Sequence, residues 1–115
     1  MSRRRKPKSP DAGQWFQVEE DLLIIGISGE LSETVGEIVD ITSPEEGDRV
    51  NKGEEIIHIA GSDDDFSIIS PIDGTIVEVN DTLENNLRLL KKDPTHQEWL
   101  VKIEPEDEED LATFQ

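Results

Sequence analysis

The chain has 115 residues with 28 acidic and 11 basic side chains, a net charge of −17, and only 33% apolar residues. That length suits one small domain, and with three Phe, two Trp and no Tyr the core must come from Ile, Val and Leu. The absence of cysteine excludes disulfides, thiolate metal centres and cysteine nucleophiles, and no apolar run approaches the roughly 18 residues that cross a membrane.

Charge is unevenly spread. Arg3, Arg4, Arg5, Lys6 and Lys8 open the chain, whereas residues 9–115 hold six basic and 28 acidic groups, a net of −22. Such a body repels nucleic acid and anionic membrane and steers toward basic partner surfaces. The basic start runs into Pro7 and Pro10 rather than an apolar stretch, so no secretory signal is expected and a cytoplasmic protein is the simplest fit. Residues 1–12 read as a disordered basic tail and 13–115 as the folded domain.

Trp15 and Phe16 begin the ordered part, and Glu19-Glu20-Asp21 is a turn leading into an apolar strand at Leu22–Ile27. Ser28 is placed to cap a short helix, with Glu30 and Glu33 near its positive end. Leu31 and Val35, four residues apart, share one face of that helix, and Gly36 ends it. Glu37–Ile41 resumes strand; simple alternation turns Ile38 and Asp40 one way, Val39 and Ile41 the other. Pro44-Glu45-Glu46-Gly47 has turn chemistry, and Val50 and Gly53 lie in a bend before the strand Glu55–Ala60.

An acidic tip, Gly61-Ser62-Asp63-Asp64-Asp65, joins that strand to the next, Phe66–Ser70. Pro71-Ile72-Asp73-Gly74 makes a second turn before the strand Thr75–Asn80. The two Pro-x-x-Gly turns, each followed by strand residues, suggest an internal two-fold repeat. Asp81–Leu90 reads as a helical or turn-rich connection, broken by Asp93-Pro94. A last strand, Trp99–Ile103, leads to Pro105 at the first turn of a short helix whose inner face carries Leu111 and Phe114.

The most informative pattern is the pair of half-motifs around the tip, Gly47-Asp48-Arg49-Val50-Asn51-Lys52-Gly53-Glu54 and Ser70-Pro71-Ile72-Asp73-Gly74-Thr75-Ile76-Val77-Glu78-Val79. With Trp15, Ile25-Gly26-Ile27, Gly36-Glu37-Ile38-Val39, Asp93-Pro94 and Trp99-Leu100-Val101-Lys102-Ile103, they form an ordered series. That series resembles the glycine cleavage system H-protein family, from Gln14 to Phe114. The resemblance implies a mainly β fold with short helices: a lipoyl-type barrel-sandwich hybrid of two pseudo-two-fold halves, not itself an enzyme. In that family a lysine at the hairpin tip, in a Glu-Ser-Val-Lys motif, carries lipoate. Counting forward from Gly47 and back from Pro71 both put that lysine at position 63, where this chain has Asp63. Ala60 stands where the family has glutamate, and Gly61 and Ser62 stand at the serine and valine. The nearest lysines are Lys52 and Lys91.

Lipoylation joins a carboxyl group to a primary amine, and an aspartate offers none. Lipoate, the cofactor expected for the family, is therefore not expected on this tip, nor is biotin. The resemblance further implies docking on the glycine decarboxylase, aminomethyltransferase and dihydrolipoamide dehydrogenase, or on other lipoate-linked enzymes with basic docking surfaces. The candidate contact residues are His58, Ser62, Asp63, Asp64, Asp65 and Phe66. Three alternatives accompany this reading. A carrier role would require attachment at another lysine. A hard-cation site at the clustered carboxylates lacks an EF-hand ligand series. Carboxylate-pair hydrolysis lacks the apolar pocket that would separate two pKa values. His58 on its strand and His96 before Trp99 have no ligand spacing, and no phosphate-binding glycine loop is present.

Overall fold

The computed structural model describes residues 13–80 and 97–114. The expected tail at 1–12, the connection at 81–90 and Asp93-Pro94 lie outside them. Eight strands form two antiparallel sheets. They are β1 (Gln14–Glu19), β2 (Leu22–Ser28), β3 (Ile38–Thr42), β4 (Arg49–Val50), β5 (Glu55–Gly61), β6 (Asp65–Ile69), β7 (Gly74–Val79) and β8 (Gln97–Pro105). One sheet runs β1-β2-β8-β7-β4 and the other β3-β5-β6. This is the mainly β, lipoyl-type sandwich that the resemblance implies.

Local chemistry explains most of the elements. The β1–β2 connection places Glu20 and Asp21 at φ 53° and 66°, the left-handed pair of a tight hairpin turn. β2 is almost wholly buried, which accounts for its unbroken apolar run. Its Leu23, Ile25 and Ile27 join Ile76, Val101 and Ile103 of the same sheet, and Ile57, Ile59 and Ile68 of the other, in one core. Ser28 caps a single 3₁₀ turn, Gly29–Leu31, its hydroxyl accepting from the Glu30 amide at 3.4 Å. The turn runs into α1 (Ser32–Val35), which ends at Gly36. Leu31 and Val35 are both fully buried, as their spacing predicts.

The two half-motifs pair with each other. Val50 of β4 lies opposite Gly74 of β7, the Gly47 amide donates to the Ile76 carbonyl at 2.7 Å, and the Ile76 amide donates to the Asp48 carbonyl at 2.8 Å. Val50 and Ile72 are each buried to 2% exposure. At the base of the β5–β6 hairpin the Gly53 amide donates to Ser70 and the Ser70 amide to Glu54, both at 2.9 Å. The buried Ser70 hydroxyl donates to the Ile72 carbonyl at 2.6 Å. The half-motifs thus bring the far ends of the hairpin together and seal them into the core.

Three details depart from the sequence reading. The register of β3 against β5 shifts between Ile38 and Asp40, so alternation breaks: Val39 is 59% exposed while Ile38 and Ile41 both pack on the core. A bulge gives a strand one unpaired residue and so resets which side chains face inward. Pro105 is the last residue of β8 rather than the start of a helix, and a 3₁₀ helix follows at Glu108–Phe114. Leu111 of that helix is buried, and Phe114 meets Phe16 of β1 with ring centroids 5.4 Å apart. β4 falls where the sequence suggests only a bend, because its two residues are too few to show a period.

Candidate functional site

The tip between β5 and β6 is seated on the segment that follows α1. The Ser62 amide donates to the Glu37 carbonyl at 2.8 Å, and the Glu37 amide donates back to Ser62 Oγ at 2.9 Å. The Asp63 amide donates to the Val35 carbonyl at 2.8 Å and the Asp64 amide to the same oxygen at 3.3 Å. The Gly61 amide closes the turn on the Asp64 carbonyl at 3.0 Å, and the Asp64 carboxylate accepts from the Asp65 amide at 2.8 Å. Every amide from Gly61 to Asp65 outside the ladder therefore has an acceptor, which holds an exposed turn in one conformation.

Two glycines make this seat. Gly36 has φ 79° and ψ −148°, a region open essentially only to glycine. A Cβ there would lie 2.5 Å from Ser62 Oγ and 2.8 Å from the Asp63 carboxyl. A Cβ on Gly61 would lie 2.2 Å from the Val35 carbonyl oxygen. The Asp63 side chain thus rests against Gly36.

The six candidate residues separate into three groups. Ser62, Asp63, Asp64 and Asp65 are exposed at the tip. His58 lies on the outer face of the three-stranded sheet, opposite Thr42 and Ser67. Its Nε2 is 3.2 Å from Asp65 Oδ2 and its Nδ1 is 3.4 Å from Glu55 Oε2. Asp65 ties His58 to the tip: it faces Ala60 across the ladder, as does Asp40. The same outer face therefore carries Asp40, Asp65 and His58. Phe66 goes the other way. It pairs with fully buried Ile59 and packs on the core, so alternation withdraws it from the acidic face.

Sequence reasoning missed the seat. Val35 and Gly36 read as the end of a helix and Glu37 as the start of a strand, and only the fold sets them under a tip some 25 residues further on, where Glu37 meets Ser62. The glycine at 36 was a signal for a helix stop and gave no sign of this second contact. Among the described residues no group of three or more His, Asp or Glu could hold a metal ion. No helix among them is long and apolar enough to cross a membrane.

Lys52 lies in the bend at the base of the hairpin, its amide donating to Asp73 Oδ1 at 2.7 Å. At about 3.3 Å per strand residue, β5 puts roughly 20 Å between that bend and the tip. Lys91 is outside the described residues.

Two antiparallel sheets, sealed by paired half-motifs around a projecting hairpin, define a lipoyl-type sandwich domain. The family model of the glycine cleavage H-protein matches residues 6–115, and the chain belongs to that family. It is 35% identical over 98 residues to the glycine cleavage system H protein of Thermotoga maritima, covering 85% of this chain and 79% of the relative. It is 33% identical over 98 residues, with the same coverage, to that of Acinetobacter baumannii strain SDF. The crystal structure of an H protein from Mycobacterium marinum matches with a TM-score of 0.68, covering 88% of this chain and 90% of the other. At 23% identity that likeness speaks for the fold. Membership in that family makes the chain a non-enzymatic protein.

Proposed function

We propose that this chain is a non-carrier member of the H-protein family, not lipoylated at its hairpin tip, which acts as a protein-binding or regulatory module in the cytoplasm. One observation carries the reading. The tip that projects from the sandwich, Gly61 to Asp65, offers no amine, and position 63, reached by counting from both half-motifs, is a carboxylate. An acid there cannot form the amide that lipoate needs, and it repels the anionic lipoyl donor.

The docking part of the proposal rests on charge. Asp40, Glu55, Asp63, Asp64 and Asp65 line the tip and the adjoining sheet face, and they favour a partner with a basic surface. Glycine-cleavage enzymes, or other lipoate-linked enzymes, are the partners that family membership suggests. Affinity capture with the full chain from its own host tests this: recovery of such an enzyme supports docking, and its absence from the eluate counts against it.

Family membership itself favours a second reading, an aminomethyl carrier with lipoate on another lysine. Lys52 is the described lysine nearest the tip in sequence, but it sits at the base of the hairpin, beside Asp73. Intact-mass analysis of the protein purified from its own host separates the two readings. An unmodified mass is expected; one added lipoyl group would establish the carrier role and end the first proposal.

A further inference from the structure

We propose that Ser62 is a phosphorylation site, modified by an acidophilic serine/threonine kinase at the expense of a nucleoside triphosphate. The tip has no amine, but it has one hydroxyl. Of the six serines among the described residues, Ser28 and Ser70 are buried, Ser32, Ser43 and Ser67 are partly buried, and only Ser62 is exposed. Ser32 also uses its hydroxyl to donate to the Gly29 carbonyl at 2.8 Å. Ser62 is followed by Asp63, Asp64 and Asp65, all exposed. A kinase with a groove lined by Arg or Lys reads acidic residues on the C-terminal side of the acceptor through charge-assisted pairing. No other serine or threonine in the chain is followed by three acidic residues.

The step is an ordinary phosphoryl transfer. Ser62 Oγ attacks the γ-phosphorus, the bond from that phosphorus to the bridging β-phosphate oxygen breaks, the hydroxyl proton passes to the kinase base, and the nucleoside diphosphate leaves. The seat gives the modification a structural consequence. Ser62 Oγ now accepts from the Glu37 amide at 2.9 Å, and a phosphoester oxygen is a poorer acceptor. The new group brings about −1.5 to −2 charges to a tip that already holds Asp63 and Asp64. The described basic side chains, Arg49, Lys52 and Lys102, lie away from it: Arg49 pairs with Glu106, Lys102 with Glu78, and Lys52 is at the hairpin base. Like-charge repulsion, with no described lysine or arginine beside the tip and only His58 near it, at Asp65, favours release of the tip from Val35–Glu37. The modification does not depend on the docking role; only its regulatory meaning, a more acidic and less restrained face for a basic partner, rests on that reading.

Two measurements test the site. The full-length protein is purified from its own host in growth and in starvation, and its tip peptide is fragmented by mass spectrometry. A phosphoryl group on Ser62 in either condition is expected; an unmodified Ser62 in both overturns the proposal. The unmodified protein is then treated with ATP and an acidophilic kinase. One phosphoryl group is expected, lost in Ser62→Ala and reduced in the Asp64→Asn/Asp65→Asn variant, with faster hydrogen exchange at the Glu37 amide of the modified form. A phosphoryl group that survives Ser62→Ala, or unchanged exchange at Glu37, refutes the site or its effect on the seat. Lipoyl and phosphoryl groups differ in mass and attach to different residues, so failure here is distinct from failure of the non-carrier reading.

Discussion

The two ends of the β5–β6 hairpin are held in opposite ways. At its base, Gly53, Glu54 and Ser70 exchange backbone hydrogen bonds beside buried Val50 and Ile72. At its tip, Ser62, Asp63 and Asp64 are exposed, and the turn is held almost wholly by main-chain amides that reach Val35, Glu37 and Asp64 itself. The base is specified by side-chain volume, so few residues will serve there. The tip is specified by backbone geometry and two glycines, so its side chains can change while the turn stays in place. Changes of side chain at the tip can therefore alter its chemistry while the fold is kept.

The contrast is sharpest at Ile72. Replacing this buried side chain by alanine removes apolar contacts that the base cannot recover, and is expected to cost about 2–5 kcal/mol in denaturant unfolding. A loss below about 1 kcal/mol would mean that the base is not the structural anchor. Next comes the seat. Gly36→Ala places a side chain in a glycine-only region and against Ser62, at an expected cost of about 1–3 kcal/mol. The same variant should speed amide exchange at Ser62, Asp63 and Asp64 more than at Gly53 and Ser70. Equal acceleration at both ends would show that the hairpin opens as one unit.

Ser62→Ala is a smaller perturbation. It removes the acceptor for the Glu37 amide, but water can replace an exposed acceptor, so a loss of about 0.5–1 kcal/mol is expected by thermal unfolding. The least stability change belongs to Asp63→Lys, an exposed substitution expected to stay within about 0.5 kcal/mol. Its chemical effect is the opposite of small. Expressed in a host that lipoylates its own H protein, the lysine variant should gain lipoyl mass while the native chain does not. A variant left unmodified would show that Ala60, Gly61 or Ser62 also bars the ligase.

Much of the fold was legible because it depends on local periodicity and turn chemistry. The apolar run Leu22–Ile27, the cap at Ser28 and the Leu31/Val35 pair need only neighbouring residues to be read. The inward face of β3 was not legible. A bulge near Val39 depends on how β3 meets β5, and its exposed valine looks like a core residue in the sequence. Pro105 carried a helix-start signal, yet it pairs with Gly74 at the end of β8, where a missing N–H is tolerated. Phe66 could be read as core or as an anchor until its strand register placed it opposite Ile59.

By itself the sequence determined the family, the strand order along the chain, the absence of an amine at the tip and the acidity around it, because each is a matter of residue identity and spacing. Tertiary structure decided that the half-motifs pair with one another, that Phe66 leaves the acidic face, and that the tip rests on Val35, Gly36 and Glu37. The half-motif and tip contacts join residues far apart in the chain, and the hairpin register sets Phe66 opposite Ile59; only the closed backbone, with the tip amides finding their acceptors, brings them together.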